Sequence, residues 1–104
     1  MASPYNPPKT GEDFIFYAAL PSASTPGTFQ SNPTIAAGDF KVSKDGGALA
    51  NLNTLPAVTP ASSIWVKFTM SATEMTADNV SIQGIDQTSP KEWADFAVHI
   101  VTQA

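Results

Sequence analysis

Apolar side chains in this chain recur at every second position, in short runs cut off by proline, glycine, aspartate and asparagine. The clearest run is residues 64–70, IWVKFTM. Ile64, Val66, Phe68 and Met70 fall on one side, and Trp65, Lys67 and Thr69 on the other. A period of two fits a strand with one covered face and does not fit an amphipathic helix. Trp65 then lies on the polar side, as a surface residue shielded by Lys67 or as an anchor at an interface.

Other segments repeat the pattern. Residues 13–20, DFIFYAAL, are apolar on both faces, which predicts a strand covered on both sides. Residues 39–55, DFKVSKDGGALANLNTL, read as a hairpin with Phe40 and Val42 inward. Asp45-Gly46-Gly47 supplies the positive-φ positions of a tight turn, and residues 48–52 form a weaker return strand. Residues 80–86 continue the sheet with Val80 and Ile82 inward, and Gly84 breaks the alternation as a bulge would. Residues 93–102 close it, with Phe96, Val98 and Ile100 on the core side. Between strands, Ser71-Ala72-Thr73-Glu74 fits a capping box at a short helical turn, and Met75 is placed to plug the core. The loops at 21–38 and 54–63 are rich in proline; within the first, Phe29 and Ile35 are the expected anchors, and residues 28–30 or 34–35 the expected edge pairing.

Turn signals every ~8–12 residues predict an all-β fold, an immunoglobulin-like or related Greek-key β-sandwich, with a small barrel as the alternative. The expected organisation is an extended proline-rich arm over residues 1–12 and one β-sandwich domain over 13–104. In the arm, Pro4, Pro7 and Pro8 fix φ and remove donors, and Tyr5 is the one large side chain. Fully extended, twelve residues reach up to ~40 Å, enough to dock on a neighbouring subunit.

Charge narrows the partners. The chain has five lysines, no arginine, nine acids and a net charge of −4, with only 13% charged residues. Without arginine there is no bidentate grip on phosphate or guanine, so nucleic acid and anionic membrane are not expected partners. No apolar run approaches a membrane span, and the N-terminus lacks the pattern of a signal peptide, which predicts a soluble chain not exported by that route. Absence of cysteine excludes disulfides and thiolate metal sites.

No reaction suggests itself. His99, the single histidine, sits between Val98 and Ile100 without a recognisable nucleophile, and reads as structural. No carboxylate pair is singled out by its spacing. Asp45 and Asp78-Asn79 read as turn chemistry, not as a calcium loop. No enzyme, cofactor or metal is therefore expected. Trp65, Trp93, Tyr5 and Tyr17 suit core packing and interfaces, with a sugar-stacking platform as the lesser reading.

Four longer words, taken together, resemble a domain of tailed-bacteriophage virion surface proteins. They are residues 33–47 (PTIAAGDFKVSKDGG), residues 50–60 (ANLNTLPAVTP), residues 71–79 (SATEMTADN) and Glu92-Trp93. The resemblance covers roughly residues 13–104. It implies a β-sandwich, commonly in a trimer, in capsid decoration (cement) proteins, head fibres or fibre base domains, and no catalysis. The chain ends two residues after Thr102, so the expected role is decoration rather than adhesion. That role places the protein on the outer capsid surface after synthesis in the host cytoplasm, with the major capsid protein as partner. A fibre module binding a host glycan or receptor is the alternative. The expected interface residues are Tyr5, Pro7, Pro8, Tyr17 and Trp65.

Overall fold

The computed structural model describes residues 7–103. Seven strands follow in order: β1 (Phe14–Ala19), β2 (Phe40–Lys44), β3 (Ala50–Asn51), β4 (Ala57–Val58), β5 (Trp65–Met70), β6 (Asn79–Gly84) and β7 (Phe96–Val101). They form two antiparallel sheets, one ordered β1-β5-β4 and the other β3-β2-β6-β7. The fold is an all-β sandwich. The barrel alternative is excluded because each sheet keeps two edges. Long-range pairing of β1 with β5 and of β2 with β6 obliges the chain to cross between sheets three times.

The core lies between the sheets. Val66, Phe68 and Met70 from β5 meet Phe40 and Val42 from β2 and Val80 and Ile82 from β6, all buried. Leu20, Met75 and Trp93, from outside the strands, are fully buried with them. Met75 thus plugs the core as expected. Ser71 and Glu74 make the reciprocal bonds of the capping box: the Ser71 amide donates to Glu74 Oε1 at 2.9 Å, and the Glu74 amide to Ser71 Oγ at 3.2 Å. The segment nevertheless stays a turn. Thr76 already bonds back to Thr73, and Met75 accepts from Ala77, so no second helical turn forms.

The hairpin is present. Asp45 and Gly46 have φ of 51° and 76°, and the Gly47 amide donates to the Lys44 carbonyl at 2.9 Å. Positive φ at both central residues is the twist that suits a two-residue hairpin turn. The return strand shrinks to β3, two residues paired with Lys41 and Val42.

Several expectations fail. β1 is an edge strand, and only one of its faces is covered: Phe14, Phe16 and Ala18 turn toward the core, while Ile15 and Tyr17 are exposed. Gly84 is not a bulge. It stays in register between Phe40 and Phe96, and its missing side chain admits the Phe40 ring. The closing strand starts at Phe96, and Trp93 is a core residue whose Nε1 donates to the Thr34 carbonyl at 3.2 Å. Residues 54–63 contain the short strand β4. In the long loop, Pro21 bridges Phe29 and Ile35 packs on the core, as expected, but the Phe29 side chain points to solvent.

The arm is shorter than the sequence predicts. Gln103 donates to the Pro8 carbonyl at 2.9 Å and accepts from the Thr10 amide at 2.8 Å, with Lys9 opposite Gln103 in parallel. The Gly11 amide donates to Met75. Residues 8–11 are thus committed to contacts inside the chain, and a twelve-residue reach is not available.

Candidate functional site

Buried carboxylates are the first place to look for chemistry, and three are present: Asp39, Glu74 and Asp86. Each is engaged by backbone amides. Asp39 accepts from Ala36 at 2.9 Å and Gln87 at 3.2 Å. Glu74 accepts from Ser71 at 2.9 Å and Asn53 at 2.8 Å. Asp86 accepts from Thr88 at 2.9 Å, Glu92 at 2.8 Å and Trp93 at 3.4 Å. Burial pushes the Asp86 carboxyl up, but these donors together outweigh it and hold the group below its ordinary 3.8. The acids fasten loops to the sandwich. Asp45 does the same for the hairpin turn, accepting from Asp78 at 3.1 Å and Asn79 at 2.9 Å. The two stretches weighed against a calcium loop therefore meet through hydrogen bonds that already occupy the Asp45 oxygen.

His99 is exposed on the outer face of the four-stranded sheet, beside a depression of about 410 Å³ that Ser43, Leu49, Ser81 and Ala97 also line. Its Nε2 shares a 2.9 Å hydrogen bond with Asn79 Oδ1. Ser81 lies directly across in register but makes no hydrogen bond to the ring. Among the described residues, no three His, Asp or Glu side chains converge to hold a metal.

The better candidate is the outer face of β1-β5-β4. Strand alternation fixes its members: Ile15, Tyr17 and Ala19 from β1, Trp65, Lys67 and Thr69 from β5, and Ala57 from β4. Ile15, Tyr17 and Trp65 are 44%, 51% and 47% exposed. Lys67 is the single charged residue in these three strands. It stands opposite Tyr17 on one side and Ala57 on the other.

Trp65 is held at the edge of a built recess. Its carbonyl accepts from the Thr59 amide at 3.0 Å, and its amide donates to Ser63 Oγ at 3.2 Å. Ser63 Oγ donates in turn to the Pro60 carbonyl at 2.7 Å. The 59–63 turn is thereby folded against the strand. Tyr17, Thr59, Pro60 and Trp65 line a shallow recess of about 440 Å³. An open apolar recess with one cation nearby can bury a flat apolar or amphipathic group. It offers no positioned acid, base or nucleophile.

Of the five expected interface residues, the fold brings two together, Tyr17 and Trp65. Pro7 and Pro8 are half-buried and neither lines that recess; the Pro8 carbonyl is bonded to Gln103, past the end of β7 in the other sheet. Tyr5 lies outside the described residues. Thr59 and Pro60 complete the recess and were missed, because their loop gave no sign that it folds back on Trp65. Comparison of the chain with protein-family models, curated proteins and solved structures found no match.

Proposed function

We propose that this protein is a non-enzymatic structural component of a phage virion, a decoration protein that docks on the outer capsid surface and stabilises the shell. The observation that carries the reading is the Tyr17–Trp65 face: a recess with exposed aromatic walls, Lys67 as the one charge on the face around it, and a sandwich whose buried acids are used up in fastening loops. Aromatic anchors with little charge to desolvate suit protein-on-protein docking. The sequence words at 33–47, 50–60 and 71–79 supply the phage assignment and a trimer, which we take to assemble on the shell and not in free solution. Stabilisation then follows by mass action: a ligand that binds only the intact shell raises the free energy of its disruption. The partner is the major capsid protein.

The test is titration of the purified protein onto shells stripped of surface proteins, followed by cryo-electron microscopy. Saturable binding that changes little with salt is expected, since few charges are involved. Trp65→Ala should weaken it at least tenfold. Unsaturable binding, or full affinity in Trp65→Ala, would end the proposal. The second reading, a fibre module for a host glycan, rests on the same aromatic recess. A glycan-array hit that disappears in Trp65→Ala would favour it.

A further inference from the structure

The sandwich has four edge strands, and three are blunted. β3 and β4 are two residues long, and β4 is flanked by Pro56 and Pro60. β7 is met past its end by the chain's own Lys9 opposite Gln103, and before its start by Ser22 opposite Trp93. Short strands, prolines and covering segments are the usual devices against edge-to-edge association. β1 is met at one end only, past Ala19, by that same Ser22–Trp93 bridge and by Pro21 opposite Phe29; no bridge flanks its start. It is six residues, FIFYAA, with no proline, no charge and an unbroken register to β5. Its free edge pairs with no described residue. Phe14 and Phe16, next to that edge, are only partly buried.

We propose that β1 pairs antiparallel with β1 of a second copy of this chain, joining two three-stranded sheets into one of six. The pairing is isologous, so a single surface suffices. Its charge pattern fits self-association. No charged residue lies in β1, and the acids Glu12 and Asp13 precede it. In an antiparallel pair centred on Phe16 they fall opposite the partner's Leu20 and Ala19, roughly 20–26 Å from their own counterparts. A two-fold axis through Phe16 sets Ile15 against the partner's Tyr17, a branched–aromatic cross-strand pair, and Phe14 against Ala18, large against small. The half-exposed Ile15 and Tyr17 offer on the order of 200 Å² per copy. With the strand's backbone edge this remains at the small end of interfaces, so the dimer is reversible. It would set the Tyr17–Trp65 recesses of two copies on one continuous face. The pairing is argued from the edges alone, and shell binding is measured separately, so either can fail without the other.

Sedimentation equilibrium from about 1 to 500 µM tests it. A monomer–dimer equilibrium is expected, weakened at least tenfold by Ile15→Lys and unchanged by Val101→Lys, which alters a still more exposed position on β7. The chain has no cysteine, so Ile15→Cys and Tyr17→Cys proteins, once mixed, should cross-link to each other in preference to themselves. Melting temperatures of the variants confirm that they fold; if Ile15→Lys unfolds, Ile15→Thr and the cross-link decide. A protein that stays monomeric throughout overturns the proposal. So does association that survives Ile15→Lys, whether it is lost in Val101→Lys or on removal of residues 1–6, since either would name a different contact.

Discussion

Gly84→Ala should destabilise the fold by about 1 kcal/mol net, the whole cost coming through one aromatic ring. Gly84 lies in β6 with ordinary strand backbone, so alanine meets no conformational barrier there. A Cβ at this position would stand 2.5 Å from Phe40 Cε1 and 2.9 Å from Cδ1. That is about an ångström inside normal carbon contact. The ring has no easy retreat. It stacks on the buried Trp93 at 5.2 Å and meets the buried Phe68 edge-on at 5.1 Å and the partly buried Phe96 at 6.2 Å. Overpacking of this kind costs roughly 1–3 kcal/mol. Reduced freedom of the unfolded chain returns about 0.4–1 kcal/mol of that. Urea denaturation followed by fluorescence reads the balance, because Trp93 is buried against the ring concerned. The midpoint should fall with the slope unchanged. A Phe40→Leu background should remove most of the penalty, giving a coupling energy of at least ~1 kcal/mol. A Gly84→Ala protein as stable as the parent, or an equal loss in both backgrounds, would show that the ring is not the cause.

Glu74→Ala should cost about 2–4 kcal/mol, because it strands the amides of Ser71 and Asn53 at a site only 5% exposed. Thermal melting measures it, and a loss under 1 kcal/mol would mean that water replaces the carboxylate. Asp86 gives the pH dependence. Its folded pKa lies below 3.8, so its contribution is fully present above that value and is lost as pH falls through the folded one. Urea midpoints should be level above about pH 5 and decline below pH 4. Asp86→Asn should be less stable at neutral pH and show a shallower decline, and an unchanged acid slope in that variant would remove Asp86 from the account.

The strands were legible where neighbours on one face differ sharply from those on the other. Residues 64–70 alternate Val66, Phe68 and Met70 against Lys67 and Thr69, and burial follows. β1 was misjudged because alternation reports only polarity: Ile15 and Tyr17 are apolar, yet they face outward. Trp93 was assigned to a strand because sequence does not distinguish a buried loop residue from a strand residue. The turn at Asp45-Gly46 was readable, since φ > 0 at two successive positions restricts residue choice. The capping box was readable for the same local reason, whereas the reach of Glu74 to Asn53, 21 residues away, was not. The recess shows the same division. Tyr17 and Trp65 could be named singly, but their meeting depends on the β1–β5 register and on Ser63 drawing Pro60 inward.

The distribution of charge connects the core to the proposed role. Five of the nine acids, Asp39, Asp45, Glu74, Asp86 and Glu92, have carboxylate oxygens occupied by backbone amides. Of these, Asp86 is held ionised more firmly than a free carboxylate, which makes it a poor proton acceptor at the pH where enzymes usually work. A chain with so few charged residues that commits several of them to loop anchoring leaves its outer faces nearly neutral. On such a surface, affinity depends on shape and apolar area, and ionic strength has little hold on it. The face bearing Ile15, Tyr17 and Trp65 meets that condition, with Lys67 as its sole charge. Each copy buries little there, so firm attachment requires many copies acting together on a repeating surface. A β1–β1 pair would be the smallest such step, since it doubles the apolar face without adding charge to it.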